Sequence, residues 1–248
     1  VVACGMVGSR QGWREAAYVE CPLDLRDLAG GLLRAETECG PLAIVPGVVQ
    51  RGAAPDVMRG EETQLFGALG RHADVAEDWL GVLPGTHSKW VTIRGGRLAG
   101  FTTFMTGELF ATLRDHSLLG RPAREARAAP PEAAAAAFAR GVRAAAAAGP
   151  RGVAGLLFSA RSLWLAGELG AAETLDYLSG LLVGDEIRGM TAGRGAGDAL
   201  PLVLVGAAGL CERYRAALAA CSSADVRLAG DTAAAGLWRI AVEAGLTT

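Results

Sequence analysis

The sequence predicts an α/β fold, and three observations predict it. Three short apolar strands follow one another through Gly-rich turns between residues 79 and 105, later apolar runs alternate with helical stretches, and 51% of the residues are apolar. Consecutive strands joined by tight turns make an antiparallel meander, and strands that later alternate with helices extend it into an α/β layer. A chain of 248 residues is long enough to bury one large core or two modest ones.

Taken in order, residues 1–6 are a short apolar run ending in glycines, suited to a buried strand that feeds a turn. Residues 5–13 read as a loop dense in Gly and hydrogen-bonding side chains, and residues 42–49 as one strand kinked at Pro46-Gly47. From 59 to 69 the period is helical, with Leu65, Phe66 and Leu69 on one side and Glu61 and Glu62 in the first turn. The meander strands are expected at 79–83, 89–93 and 98–105, with turns at 84–88 and 94–97. Thr106-Gly107-Glu108 opens a helix to about His116. Residues 121–152 are rich in Arg, Pro and Ala, and between Pro130-Pro131 and Pro150 they predict an Ala-driven surface helix at 132–148. Helical segments follow at 153–169 and 171–190, then a Gly-rich loop at 193–197 and a strand at 202–205 that ends in Gly206-Ala207-Ala208-Gly209. A helix at 210–220, a strand at 226–229 and a final helix capped by Asp231 complete the chain.

Composition removes several function classes. The net charge of −2 gives no electrostatic reason to expect nucleic acid or an anionic membrane surface as partner. Charged residues, Gly or Pro interrupt every apolar run before it could span a bilayer. The first residues lack a basic n-region and a signal-like apolar region, so a cytoplasmic location is expected. Five cysteines (Cys4, Cys21, Cys39, Cys211, Cys221) without a C-x-x-C pair suit reduced thiols, and the scattered His72, His87 and His116 do not predict a metal site. Lys89 is the single lysine beside 23 arginines, and asparagine is absent, as in chains from GC-rich genomes that use Arg wherever either base serves. Lys89 is therefore either a chance survivor or a position that needs a compact ammonium.

Several segments, in order along the chain, resemble known enzymes. Residues 59–67 (R-G-E-E-T-Q-L-F-G) resemble the G-D-Q-Q-A-A-L-F-G stretch that opens the second domain of glycerol-kinase-like enzymes. Residues 84–89 (P-G-T-H-S-K) stand where those kinases carry a second phosphate-binding hairpin. Residues 205–209 resemble their adenosine turn, and 230–237 the start of their closing helix. The resemblance is closer to the 2-dehydro-3-deoxygalactonokinase family. That family carries G-M-V-G-S near a Gly-Trp pair, M-R-G-E-E-T-Q-L, P-G-T-H-x-K-W-V, M-T-G-E-L, L-S-G-L-L-x-G and A-G-D-T. These stand here at 5–9 with Gly12-Trp13, 58–65, 84–91, 105–109, 178–183 and 229–232.

The resemblance implies a ribonuclease-H-like, actin-like ATPase fold of two domains with a cleft, the first domain incomplete at its N-terminus. Residues 1–55 would be the remainder of the sugar-side domain, with the closing helix at 231–248 packed back on it, and 56–230 the nucleotide-side domain. Relatives begin with a D-x-G-T-x-N phosphate turn, so the resemblance places Val1 at about their third or fourth strand. It implies ATP and Mg²⁺, a small sugar-acid substrate, and transfer of the γ-phosphate to the 6-hydroxyl of 2-dehydro-3-deoxy-galactonate. It also leaves room for a homodimer. A kinase of the same fold for another sugar acid or polyol, and a truncated ATP-binding module, are the alternatives.

Residue by residue, Glu61 matches the general-base position, where a carboxylate accepts the proton of the attacking hydroxyl. Glu62 projects about 100° away on the helix and is expected only to favour its N-terminus. Gly85, Thr86 and His87 offer N–H and side-chain donors to phosphate oxygens, and Lys89 a point charge beside them. Gly206 and Gly209 would let the backbone approach adenosine. For the sugar acid the candidates are Ser9, Gln11 and Trp13 of the first loop and Glu108, with Arg161 or Arg14 to hold the carboxylate. A helix-cap role is the alternative for Glu108, and an ordinary surface charge for Arg161. The loop at Gly193, Gly195 and Gly197 has no strand before it and is read as non-functional.

Overall fold

The computed structural model describes residues 1–71, 77–192, 200–221 and 225–247. His72 and the Gly-rich stretch at 193–197 lie outside the described residues. The first elements are β1 (Val2–Ala3), β2 (Tyr18–Glu20), α1 (Leu25–Gly30), β3 (Leu33–Thr37), β4 (Gly40–Ile44), β5 (Gly47–Gln50) and β6 (Asp56–Met58). They form two small sheets, ordered β1-β4-β3 and β2-β5-β6.

The strand expected at 42–49 is thus two strands in different sheets. Pro46 has no N–H to donate to a ladder, and the chain changes sheets there. Gly47 permits the crossing, because a Cβ at that position would stand 2.5 Å from the Tyr18 ring. The N-terminal run is a strand over only two residues, β1, which is half-buried and pairs in parallel with β4. α1 was not expected, yet its signal is in the sequence. Asp24 accepts from the Arg26 and Asp27 N–H groups while the Asp27 carboxylate accepts from Asp24 N, a reciprocal cap.

α2 (Glu61–Arg71) leads to the meander, β7 (Trp79–Leu83), β8 (Ser88–Arg94) and β9 (Arg97–Phe104), and then to α3 (Thr106–His116). The helices α4 (Pro131–Ala146), α5 (Ser159–Leu165) and α6 (Thr174–Thr191) come next, followed by β10 (Leu202–Val205), α7 (Ala208–Cys221), β11 (Val226–Gly230) and α8 (Ala233–Glu243). The five-stranded sheet runs β11-β10-β7-β8-β9, antiparallel through the meander and parallel where β10 and β11 join it.

Both faces of this sheet are covered, which explains why β10 reads as an unbroken apolar run. Successive side chains divide between two cores. Val203, Val205, Val91 and Ile93 pack with Leu65 and Phe66 of α2 and Ile240 of α8. Leu202, Leu204, Val82 and Trp90 pack with Phe138 of α4, Ile187 of α6 and Tyr214 of α7. The first core also takes in Leu23, Val45, Val48 and Met58, tying the small sheets to the large one. No helix among the described residues is long and apolar enough to cross a membrane.

Candidate active site at the hairpin turn

The β7–β8 ladder closes at the Leu83–Lys89 pair, and the turn beyond it is clamped onto the start of α3. Glu108 N–H donates to Thr86 O at 3.0 Å. Gly107 lies so close beneath that an added Cβ would be 2.7 Å from Thr86 Cα and would collide with Gly85 O. On the exposed side the His87 imidazole Nε2 meets Glu108 Oε2 at 2.5 Å. His87 and Glu108 therefore pair with each other across the turn.

The turn is one wall of a cleft of about 580 Å³. Gly85, Thr86, Thr106 and Gly107 line one side; Asp176 and Ser179 of α6 with Arg213 and Tyr214 of α7 line the other. Phe110, Leu175, Leu182 and Leu210 supply apolar surface between them. Arg213 is itself oriented, donating to Asp176 Oδ1 at 2.9 Å and lying 4.1 Å from the Phe138 ring centroid. A hollow of similar size, about 670 Å³, is bounded by β1, β4 and α8 and lined by apolar groups such as Leu42, Leu237 and Trp238.

Gly206 (φ 132°) and Gly209 are not among the residues lining the cleft. The segment they begin reaches it one turn later, through Leu210, Arg213 and Tyr214, positions that spacing from a glycine turn does not single out. Arg161 lies over Trp164 of its own helix, 5.7 Å from the ring centroid, on α5, which packs against α6.

Lys89 stands elsewhere than expected. Side chains alternate along β8, so Ser88 and Trp90 face the cleft side while Lys89 faces the small sheets. Lys89 is 4% exposed, and its ammonium donates to Val57 O at 3.1 Å and Thr103 Oγ1 at 2.8 Å. Thr103 in turn donates to Asp56. The single lysine is a strut between β8 and β6.

Around the start of α2 a second group gathers. Gly60 (φ 112°) touches the loop at Gly5, a Cβ there lying 3.3 Å from Gly5 Cα, in a conformation that glycine adopts without strain. The Arg59 guanidinium donates to Ala16 O at 2.8 Å and stacks on Tyr18 at 4.4 Å, which holds loop 5–16 against the helix start. Ser9 sits in that loop with its hydroxyl buried and unpartnered, whereas Gln11 and Trp13 are exposed. Glu61 is half-buried, and its Oε2 accepts from Arg59 N–H at 3.0 Å. Arg59 was missed as a sequence candidate, although it opens the R-G-E-E run that supplied Glu61.

Glu62 is not the surface charge its helix position implied. It is fully buried, accepting from Gly60 N–H at 2.7 Å and Thr63 Oγ1 at 3.1 Å, and burial raises its pKa from 4.5 to about 7. A folded-state pKa raised in this way means the native protein holds a proton that the unfolded chain has already released. Stability from this site therefore falls as pH rises from about 4.5 to about 7, and the full penalty stands above that window. Glu62→Gln removes the titration, so the variant should gain on the wild type by about 3 kcal/mol between acid and mildly alkaline pH. Urea midpoints at both ends of the window measure this; a pH-independent difference would exclude it.

A family profile described as 2-keto-3-deoxy-galactonokinase matches residues 1–240. A Rhizobium meliloti (strain 1021) protein provisionally named a 2-dehydro-3-deoxygalactonokinase is 43% identical over 219 residues, which is 88% of this chain and 69% of the relative. The 2-dehydro-3-deoxygalactonokinase of Escherichia coli (strain K12) is 36% identical over 240 residues, 94% of this chain and 75% of the relative. A crystal structure from Sinorhizobium meliloti, assigned provisionally to the same kinases, superposes with a TM-score of 0.87 at 41% identity, covering 97% of this chain and 78% of that one. The chain belongs to the 2-keto-3-deoxy-galactonokinase family.

Proposed function

We propose that the protein transfers the γ-phosphate of ATP to the 6-hydroxyl of 2-dehydro-3-deoxygalactonate. The observation that carries this reading is the family match over residues 1–240, supported by two relatives whose names state that substrate. The order β11-β10-β7-β8-β9, an antiparallel meander extended by two parallel strands, supports a ribonuclease-H-like, actin-like second domain at 56–230. On that reading residues 1–55 belong to the sugar-side domain, and α8, which packs against α1 and α2, returns towards it.

Within the reading, the clamped turn at Gly85, Thr86 and His87 receives phosphate oxygens, and the cleft beside it takes the nucleoside. An apolar wall with a few oriented polar groups suits a base and ribose. Glu61 takes the proton of the sugar hydroxyl as that oxygen bonds to the γ-phosphorus, the bridging P–O bond breaks and ADP leaves. Its existing bond to Arg59 N–H fixes its orientation and leaves lone pairs for that proton. Ser9, within the Arg59-clamped loop, would serve the sugar side. Lys89 serves as the strut between β8 and β6 and not as a phosphate ligand.

Among the described residues no three His, Cys, Asp or Glu side chains converge on a metal position. Mg²⁺ fits nonetheless, because it is held chiefly by nucleotide phosphates and water with one or two carboxylates, and it would neutralise charge developing between the β- and γ-phosphates.

The test is ADP release by the protein with 2-dehydro-3-deoxygalactonate, other 2-keto-3-deoxy acids and glycerol, with the phosphorylated carbon located by phosphorus NMR. The expected product is the 6-phosphate of the galactonate-derived acid, and preferential turnover of another acceptor would replace this substrate. ADP release indifferent to every acceptor would reject the kinase reading.

A further inference from the structure

Beneath the cleft lies a carboxylate that the reaction does not require. Glu186, on α6, is 1% exposed, and three neutral donors from three other elements converge on it. Trp90 Nε1–H of β8 donates to Oε1 at 2.6 Å, Tyr214 O–H of α7 donates to Oε2 at 2.8 Å, and Thr106 Oγ1–H at the start of α3 also donates to Oε2. Tyr214 has a single proton and gives it to Glu186, so Ser88 must donate to the Tyr214 oxygen, 2.8 Å away. Every hydroxyl in the cluster therefore has a fixed direction, set by one acceptor.

Burying a carboxylate with only neutral donors around it is costly for stability alone, and burial holds its carboxyl above the ordinary range. The two halves of the cluster differ in what they touch. On the Oε2 side, Thr106 and Tyr214 both line the cleft, on opposite walls, next to Gly85, Thr86 and Gly107. On the Oε1 side, Trp90 points into the core between the sheet and the helices and does not line the cleft. Ser88 follows directly on the turn. Because the Thr106 proton is committed to Glu186, its oxygen lone pairs remain for the cleft.

We infer that Glu186 is a positioning residue for the nucleotide. Through Thr106 and Tyr214 it fixes the spacing of the two cleft walls, and through Ser88 it fixes the seat of the phosphate turn. The inference rests on the kinase reading and gives the cleft its part in it.

The test uses three nearly isosteric variants of the whole protein, Glu186→Gln, Thr106→Val and Tyr214→Phe, and one core-truncating variant, Trp90→Phe. Each is measured for melting temperature, for KM of ATP and of the sugar acid, and for ADP binding by calorimetry. Glu186→Gln, Thr106→Val and Tyr214→Phe should each raise the ATP KM and the ADP dissociation constant by about tenfold, with the sugar-acid KM changed less than about twofold. Trp90→Phe should lower the melting temperature while the ATP KM stays within about twofold. If Glu186→Gln does not fold, the Thr106 and Tyr214 variants decide the matter. Loss of stability in all four with nucleotide affinity unchanged would make the cluster merely structural and overturn the inference. A wild type that binds ADP but phosphorylates no sugar acid would instead count against the kinase reading, and the calorimetry would still judge Glu186.

Discussion

Glu61→Gln is expected to lower kcat by about 10²–10⁴-fold while both KM values stay within about threefold. The amide keeps the shape of the side chain, and its oxygen can still accept from Arg59 N–H, so the start of α2 should remain in place. What the amide cannot do is take a proton from the attacking hydroxyl. The stability cost should be small, about 0.3–1 kcal/mol for the lost negative charge at a helix N-terminus. Glu62→Gln is the matched comparison. The Glu62 oxygens are engaged by Gly60 N–H and Thr63 Oγ1 in a fully buried site, so its loss should alter pH-dependent stability and leave the chemical step alone. Initial rates and urea midpoints measured on both variants separate the two, since only loss of the base lowers turnover at nearly unchanged stability. Near-normal turnover by Glu61→Gln would place the base elsewhere.

What the sequence made legible were features governed by local rules. The meander, its turns and the helix at 106–116 follow from period-two apolar runs and Gly punctuation, and they stand within a residue or two of expectation. The phosphate-turn candidates Gly85 and Thr86 do line a cleft, because a tight turn stays a turn wherever the chain packs it. The features that escaped depend on which face a side chain takes. Lys89 was associated with the turn by sequence proximity, but alternation along β8 sends it to the opposite side of the sheet from Ser88. Glu62 was set aside as a helix-end charge, yet loop 5–16 folds over that end and removes it from water. Glu186 stands between Asp185 and Ile187-Arg188 on α6, where it reads as one more helix surface charge and carries no motif. Its partners Trp90 and Thr106 stand 96 and 80 positions before it and Tyr214 28 after, so they meet only in three dimensions, as do Ser88 and Tyr214, which stand 126 residues apart. β2 and β6 escaped because a strand of three residues is too short for periodicity to register, and β3 because L-R-A-E-T carries only two apolar residues.

The largest loss of fold is expected from Gly180→Val. α4 and α6 cross where three glycines, Gly141, Gly180 and Gly184, remove the side chains that would keep their backbones apart. A Cβ on Gly180 would collide with Phe138 O and stand 3.0 Å from Val142 N; one on Gly141 would collide with Tyr177 O and stand 2.9 Å from Leu181 N. These neighbours are backbone atoms inside helices and cannot turn aside as a side chain would. In an open helix the change from Gly would be mildly favourable, by up to about 1 kcal/mol for alanine, so propensity and packing predict opposite signs. Packing wins here, because forcing bulk into a close-packed crossing costs about 1–3 kcal/mol or more per site. For a chain of this length that corresponds to a fall in melting temperature of roughly 2–6 °C, with valine above alanine. α6 also carries Asp176, Ser179 and Glu186, so displacing it should weaken ADP binding in whatever fraction still folds. Gly30→Ala, at a position where an added Cβ meets nothing within 4 Å, should be neutral or slightly stabilising. Equal melting temperatures for the Gly30 and Gly180 variants would mean that α4 and α6 do not cross this closely.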